Sequence, residues 1–325
     1  MAQYGTKHGH GPDVLATMLA SPDVEVTGVY EPDADHRAEL QTSGKPQWSK
    51  VRWYESPREF LDDPSITAVA SEGLNIESLA QTEEIVRAGK HVFYDKPAGD
   101  DWPRWARVVE EARRKGLLIQ LGYMFRYHDG FSRIAEWARS GFLGDVFSVR
   151  AHMSTNLTQE QRAVIAEHDG GIFYDLAGHM LDQVVWLLGR PRRVTSFLQN
   201  VCSTPPNFRD NTLGVFEYER ALATVDIAAM EARPMARRFE VYGTRGSAIM
   251  EPFEPADTIR LCLDEARGGS KAGVNIIKVE DRPRYAAPVA AFIKDVRGEK
   301  APDRSLDHEL LVQETLLRAT GKLPG

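Results

Sequence analysis

The chain has 325 residues, of which 42% are hydrophobic and 27% charged, a composition typical of a folded protein large enough for two domains. This composition excludes disordered and fibrous classes, and the net charge of −7 argues against a nucleic-acid partner. We expect no membrane span and no signal peptide, because apolar runs are short and the N-terminus is polar. The two cysteines form no CxxC pair, so we expect a reducing compartment, the cytoplasm.

The first part of the chain alternates short apolar runs with helical segments, which is the pattern of a parallel sheet covered on both faces. A short first strand precedes Gly5, and the other expected strands are residues 24–30, 68–71, 91–94 and 117–121. The expected helices are residues 12–20, 33–41, 76–88 and 102–115. We therefore predict a doubly wound domain over residues 1–122 that binds its ligand at the carboxyl ends of the strands.

The first turn, residues 5–11 (GTKHGHG), lies where a dinucleotide-binding domain receives the cofactor's pyrophosphate. Only its first glycine matches the pattern G-x-G-x-x-G, and an ordinary tight turn into a helix explains the glycines equally well. The candidate cofactor-binding residues of this turn are Gly5, Lys7, His8, Gly9 and His10. His8 and His10 form an H-x-H pair, but we see no further ligand cluster nearby and therefore assign no metal.

The end of the second expected strand carries an acid, Glu31. In dinucleotide-binding folds an acid at this position accepts hydrogen bonds from the adenosine ribose hydroxyls, and its charge repels a 2′-phosphate. We therefore predict NAD over NADP. His36 and Arg37, just downstream, are the features that favour NADP.

Strand 91–94 delivers Asp95, Lys96 and Pro97 to the ligand edge of the sheet, and Pro97 is a candidate for a cis peptide. A lysine at such an edge can donate a hydrogen bond to a substrate oxygen. The alternative is a solvated lysine paired with Asp95. Ser71 and Glu72, at the end of the neighbouring strand, are further candidates for cofactor contacts.

Residues 123–325 show a different pattern, which begins with a helix over 127–140 and a strand over 146–155. The polar stretch 158–171 is interpreted as a plain connection in preference to a lid. Arg126, just before the helix, is a candidate to hold the nicotinamide amide or a substrate hydroxyl. An ordinary surface ion pair is the alternative for Arg126.

Residues 170–189 predict a helix that is apolar around most of its circumference. Asp175, His179 and Asp182 lie four and three residues apart, so they share one face of it. Carboxylates and an imidazole on a buried helix need partners or a wet cleft, and we expect a cleft. His179 would then exchange a proton with a substrate hydroxyl. The alternative is a core histidine, with Asp175 stabilised by the helix dipole.

The rest of the chain predicts strands followed by two helices. The expected strands are residues 193–201, 212–218, 221–230, 238–242, 247–251 and 258–263, and the helices are 287–297 and 306–320. A sheet covered by helices on one face needs a cover for the other, and a second copy of the chain supplies one. We therefore expect a homodimer or homotetramer.

Taken together, these motifs resemble the glucose–fructose oxidoreductase and inositol dehydrogenase family (Gfo/Idh/MocA). The resemblance rests on Asp95-Lys96-Pro97 after a Gly-Lys-His-Val strand, and on Asp175-x-x-x-His179 at the head of a helix. Matching segments follow one another over nearly the whole chain, at residues 22–33, 88–92, 122–127, 170–182 and 239–247.

The resemblance implies an α/β fold with an N-terminal Rossmann domain over residues 1–122. It implies a second α/β domain over 123–325, built on a large, open, mostly antiparallel sheet. It also implies a nicotinamide cofactor, and that Lys96, Asp175 and His179 face the substrate. The chain departs from the family pattern at Asp95, where glutamate is usual, in the first turn, and at residues 71–78, which replace Thr-Pro-Asn and a histidine.

Our leading hypothesis is an NAD-dependent oxidoreductase, with NADP as the alternative cofactor, that acts on a secondary alcohol of a sugar, polyol or related small molecule. One alternative is a non-catalytic protein of the same fold that senses cofactor or ligand, motivated by the altered first turn. Another is a glycoside hydrolase that uses bound NAD transiently and shows no net cofactor reduction.

Overall fold

The computed structural model describes residues 1–202, 204–280 and 282–325. The chain divides into two compact units. The first contains Met1–Tyr123 and Pro283–Leu310, and the second contains Met124–Arg282 and Leu311–Gly325. A parallel sheet organises the first unit and a larger, mostly antiparallel sheet the second, so the predicted fold class is confirmed.

The first unit alternates strands and helices along the chain. The strands are β1 (Ala2–Tyr4), β2 (Gly28–Tyr30), β3 (Ala68–Ser71), β4 (His91–Tyr94) and β5 (Ile119–Leu121). The helices are α1 (Gly11–Ala20), α2 (Ala34–Thr42), α3 (Pro46–Ser49), α4 (Pro57–Asp62), α5 (Asn75–Arg87) and α6 (Trp102–Lys115). The strands pair in parallel in the order β2-β1-β3-β4-β5. The carboxyl ends of β1, β3 and β4 therefore lie side by side, where such a sheet binds its ligand.

Two short helices of this unit, α3 and α4, were absent from the predicted elements. Each begins with a proline, Pro46 or Pro57, in its first turn, where proline is favoured because the missing N–H has no partner in the helix. In contrast, α6 has its predicted bounds, because Gly116 ends it in the left-handed conformation, at φ 67°.

The second unit contains an eight-stranded sheet in the order β13-β12-β11-β10-β6-β9-β8-β7. The strands are β6 (Val146–His152), β7 (Arg193–Gln199), β8 (Asn211–Glu217), β9 (Leu222–Ala228), β10 (Arg238–Gly243), β11 (Gly246–Met250), β12 (Thr258–Leu263) and β13 (Gly273–Lys278). The helices are α7 (Asp129–Arg139), α8 (Gln159–Ile165) and α9 (Ile172–Leu188), and a short 3-10 helix covers Met124–Tyr127. Neighbouring strands run antiparallel except for β6 and β9, which are parallel.

Helices pack on one face of this sheet, with α9 against β8 and β9 and α7 against β10. Residues of β9 alternate accordingly, and Ala223, Val225 and Ile227 are buried. The opposite face carries exposed apolar side chains, including Phe197 and Leu222. The expectation of a sheet with helices on one face therefore agrees with the packing of α7 and α9.

Two elements of the second unit were missed. Helix α8 lies in the stretch interpreted as a plain connection, and Thr158 and Gln161 form a capping box at its start. It buries none of its residues, so it lacks the apolar periodicity that identifies most helices. Strand β13 lies at the sheet edge, where it pairs with β12. Its side chains are half-buried or exposed, so it lacks the alternation of buried and exposed residues that identifies most strands.

The C-terminal part of the chain contains α10 (Ala286–Val296) and α11 (Leu306–Ala319). Helix α10 buries Val289, Phe292 and Ile293 in a core that also contains Leu15 and Phe93 of the first unit. The expected second domain, residues 123–325, therefore differs from the observed division, because Pro283–Leu310 packs with the first unit. Burial of each such side chain contributes about 1.5–3 kcal/mol, which holds the returning segment there. Among the described residues, no helix combines the length and the apolar character that crossing a bilayer requires.

Candidate active site

The first turn follows β1 and leads into α1. Gly5 has φ +78°, and a Cβ atom there would lie 2.7 Å from the backbone nitrogen of Gly73, so only glycine fits. Gly9 differs, because nothing lies within 4 Å of the position that its Cβ would take. The turn therefore packs against the loop after β3 and leaves open space at Gly9, just before the N-terminal end of α1. This arrangement fits a bound pyrophosphate.

Glu31 lies directly after β2, as predicted, and is 2% exposed. Its Oε2 accepts a hydrogen bond of 2.6 Å from the Thr6 hydroxyl, and its Oε1 accepts one of 3.0 Å from the amide of Asp33. The acid thus occupies the position where such folds bind a ribose, with both oxygens already bonded. A ribose hydroxyl would donate to Glu31 Oε2 in place of the Thr6 hydroxyl or together with it.

The cations near this end of the sheet have carboxylate partners. Lys7 Nζ lies 3.0 Å from Asp33 Oδ2 and 3.5 Å from Glu77 Oε1. The hydrogen bond to Asp33 raises the pKa of Lys7. Burial acts in the opposite direction, and the charges of nearby carboxylates raise the pKa further. Arg37, one of the two features that favour NADP, lies 3.0 Å from Glu55 Oε2. Lys7 therefore remains charged at neutral pH, but its charge is shared between two acids.

His8 and His10 converge on Asp95 at the end of β4. His8 Nδ1 contacts Asp95 Oδ2, and His10 Nδ1 lies 3.3 Å from both carboxylate oxygens of Asp95. The reason given for assigning no metal, the lack of a further ligand near His8 and His10, is therefore wrong. Burial raises the pKa of Asp95, but the charges of His8 and His10 and their hydrogen bonds outweigh it and hold that pKa well below its usual value.

Lys96 is 3% exposed, so the alternative of a solvated lysine is wrong. Its amide donates a 2.9 Å hydrogen bond to Asp95 Oδ1, and the Lys96–Pro97 peptide is cis, as considered from the sequence. Ser71 is also buried, and its Oγ accepts a 3.1 Å hydrogen bond from the Thr82 hydroxyl. That bond ties β3 to α5.

Glu72 follows β3 and is 0% exposed. Neither of its carboxylate oxygens has a hydrogen-bond partner among the described residues. Burial, followed by the nearby charge of Asp95, raises the pKa of Glu72 well above its usual value. A buried acid without a partner is unusual, because burial of an unpaired polar group costs free energy.

In the second unit, α9 begins after Gly171, where φ is 52° and a Cβ atom would lie 2.5 Å from the backbone of Arg209. Asp175 is half-buried in the first turn of the helix, and His179 follows one turn later. His179 is 1% exposed, and its ring centroid lies 5.5 Å from that of Phe125 in an edge-to-face arrangement. The two side chains share a helix face, as predicted.

Asp182, the third polar residue of this face, belongs to a buried ion pair. Arg126 Nε and a terminal guanidinium nitrogen lie 2.9 and 2.8 Å from Asp182 Oδ1, and the two side chains are 2% and 0% exposed. Gln183 donates to the other carboxylate oxygen at 3.1 Å. The prediction that Asp182 faces a wet cleft is therefore wrong. The alternative that Arg126 forms a surface ion pair is also wrong, because its ion pair is buried. The two residues are 56 positions apart in the sequence, so no local pattern pairs them.

Comparison with known proteins identifies both parts of the chain. Residues 5–123 match the oxidoreductase family with an NAD-binding Rossmann fold, and residues 131–249 match the GFO/IDH/MocA C-terminal domain. The chain is 26% identical over 263 residues to the scyllo-inositol 2-dehydrogenase (NAD(+)) of Bacillus subtilis, covering 77% of this chain and 73% of that protein. It is 22% identical over 261 residues to the myo-inositol 2-dehydrogenase of Thermotoga maritima, covering 77% and 75%.

Among solved structures, UDP-N-acetylglucosamine 3-dehydrogenase GnnA from Acidithiobacillus ferrooxidans has the same fold, with a TM-score of 0.81 at 17% identity, covering 99% of this chain and 96% of that one. The matched segments occur in the order of the two sheets, parallel first and mostly antiparallel second. The chain therefore belongs to the Gfo/Idh/MocA family of oxidoreductases, whose first domain is an NAD-binding Rossmann fold.

Proposed function

We propose that this chain is a nicotinamide-dependent dehydrogenase that acts on a secondary alcohol of a sugar, polyol or related small molecule. The observation that carries the proposal is the buried Lys96, two residues after the end of β4, at the ligand edge of a family Rossmann domain. The named inositol dehydrogenases support a CH–OH group as the target.

In the proposed reaction, Lys96, His179 and Asp175 act on one substrate hydroxyl. The Lys96 ammonium donates a hydrogen bond to the hydroxyl oxygen and stabilises the negative charge that develops there. His179 takes the hydroxyl proton, and Asp175 orients its imidazole. A bound nicotinamide would supply the hydride acceptor for the substrate carbon, which becomes a carbonyl. The proton and the hydride therefore each have a defined acceptor.

For the cofactor, we propose that Gly5, Gly9 and the N-terminal end of α1 receive the pyrophosphate. Glu31 accepts from the adenosine ribose and favours NAD over NADP, because a second negative charge beside this carboxylate is repelled. The partners of Lys7 and Arg37 support this preference. Each cation already lies beside an acid, so its charge is partly neutralised and attracts the 2′-phosphate of NADP less strongly. Comparable affinity for both cofactors would contradict it. We assign Arg126 to the ion pair with Asp182 and not to the cofactor.

Purified chain incubated with NAD and a panel of polyols and sugars is expected to generate the absorbance of the reduced cofactor for at least one of them. The same panel tested with NADP measures the cofactor preference. Cofactor binding without turnover in either direction would favour the sensing protein, and glycoside cleavage without net cofactor reduction would favour the NAD-assisted hydrolase.

We also propose that the chain forms a homodimer or homotetramer through the open face of its larger sheet. Phe197, Leu222 and Ile276 on this face are 58%, 53% and 61% exposed, and an apolar surface of this kind is stabilised by a second copy. Sedimentation equilibrium is expected to give a dimeric or larger mass at micromolar concentration, lowered by Phe197→Glu. A monomeric mass for the unsubstituted chain would contradict this. The cytoplasmic location of the chain stays a prediction.

A further inference from the structure

We propose that His8, His10 and Asp95 form a binding site for a divalent transition-metal ion of the zinc class. All three residues belong to the first unit, at the carboxyl ends of β1 and β4. The site goes beyond the proposed dehydrogenase function, and metal binding there requires no dinucleotide and no substrate.

The spacing of the ligand atoms fits such an ion. One nitrogen of each histidine and one oxygen of Asp95 all lie within 4.8 Å of one another. A tetrahedral ion with ligands at about 2.1 Å needs ligand atoms about 3.4 Å apart. His10 Nδ1 already lies 3.3 Å from both Asp95 oxygens. Small side-chain rotations therefore bring the three ligands around one ion.

The chemistry of the three ligands selects the class of ion. Two imidazoles and one carboxylate are typical ligands of Zn²⁺ and of other divalent first-row ions, with a further position open to water. Mg²⁺ and Ca²⁺ prefer oxygen ligands throughout. The pair of histidines therefore favours zinc over the alkaline-earth ions.

Glu72 provides an independent observation. It is 0% exposed and neither carboxylate oxygen has a hydrogen-bond partner among the described residues, although its backbone oxygen accepts from the amide of His8 at 3.0 Å. Glu72 and Asp95 follow Ser71 and Tyr94, the paired last residues of β3 and β4, so the two acids are neighbours at this edge of the sheet. A buried acid of this kind beside three potential ligands is what a cation, or a water bound to it, satisfies.

Tyr285, from the returning C-terminal segment, packs against His10. Its ring centroid is 5.6 Å from that of His10, and its buried hydroxyl has no hydrogen-bond partner among the described residues. A buried hydroxyl without a partner is a candidate to hydrogen-bond a metal-bound water. Tyr285 lies 275 residues from His10 along the chain, so no sequence pattern points to it.

The rest of the loop holds the ligands in place. His10 is the residue that precedes α1, and its amide lies 3.3 Å from His8 Nδ1. Asp95 is held by a 3.1 Å bond from its amide to the carbonyl of Ser71. His10 and Asp95 thus adjoin the ends of regular elements, and His8 is held by its contact with the His10 amide, which limits the entropy lost on binding.

The test is a titration of tag-free protein, stripped with a chelator and desalted, with ZnCl₂ in a calorimeter and with CoCl₂ followed by visible absorption. We expect saturable binding of one ion per chain, a cobalt spectrum that changes on binding, and a rise in the unfolding temperature with zinc. The double variant His8→Ala/His10→Ala is expected to lose at least about 100-fold in zinc affinity, and Asp95→Asn to lose affinity as well.

His36→Ala is the matched control, because His36 is also a histidine of the first unit, 3.6 Å from the Glu39 carboxylate and outside the cluster. It is expected to bind zinc as the unsubstituted chain does. Absence of saturable binding by the unsubstituted chain overturns the proposal, and so does undiminished binding by a folded histidine double variant. Circular dichroism of each variant before titration establishes folding, and Asp95→Asn provides a second test if the double variant does not fold. The titration contains no dinucleotide and no substrate. Its failure would therefore leave the proposed dehydrogenase activity untouched, and the two proposals are tested separately.

Discussion

Replacing Lys96 by methionine is expected to lower kcat for alcohol oxidation by about 10²–10⁴-fold, because the hydroxyl oxygen loses its cationic hydrogen-bond donor as negative charge develops. Methionine has a similar length and no charge, so the buried position stays filled. The measurement is steady-state formation of reduced cofactor with the best substrate of the panel. Cofactor affinity, measured separately by titration, is expected to change far less.

Lys115→Met is a suitable control for the Lys96 variant. Lys115 ends α6 in the same unit, and its amine donates to the carbonyls of Val86 and Arg87. Its loss removes a positive charge without touching the proposed site, so turnover should stay close to that of the unsubstituted chain. Full turnover by Lys96→Met would show that the assigned role of Lys96 is wrong.

Replacing Arg126 by alanine is expected to destabilise the second unit by about 3–5 kcal/mol, because the Asp182 carboxylate is left buried without its cation. The two side chains are 2% and 0% exposed, so solvent does not readily reach the carboxylate to replace the lost guanidinium. Denaturant unfolding followed by circular dichroism measures the change. The double variant Arg126→Met/Asp182→Leu is expected to be more stable than Arg126→Ala, because it removes both charges and keeps the volume filled.

An exposed pair in the same unit supplies the control for Arg126. Arg220 and Asp145 lie 3.2 Å apart, and their side chains are 80% and 73% exposed. Arg220→Ala should therefore change the free energy of unfolding by about 0–1 kcal/mol. If Arg126→Ala is no more destabilising than Arg220→Ala, the Arg126–Asp182 pair is not the buried contact described above.

Local sequence was sufficient to predict much of the fold. The strands Ala68–Ser71 and His91–Tyr94 have the predicted bounds, since each is a short apolar run. Helix Trp102–Lys115 also agrees, because an N-terminal proline and Gly116 mark its two ends. Helix α10 was predicted as an element but not as part of the first unit. Its packing with Leu15 and Phe93 depends on contacts between distant parts of the chain, which periodicity does not reveal.

The candidate site shows the same limit. The position of Glu31 follows from the strand pattern, and Asp175 and His179 share a face because of helical spacing. The contact of His8 and His10 with Asp95 joins residues more than eighty positions apart, through the parallel pairing of β1, β3 and β4. The partner of Asp182 was likewise not predictable, because the sequence around a single arginine before a predicted helix does not indicate which acid the arginine contacts.

The most direct test of the proposed chemistry is a double-mutant cycle on kcat/KM between Lys96 and His179. If both side chains act on one hydroxyl oxygen, Lys96→Met, His179→Gln and the double variant should lose activity by similar factors, because removing either group disables the shared step. If the double variant instead loses the product of the two single losses, the side chains act independently. That result would contradict a common catalytic site for Lys96 and His179.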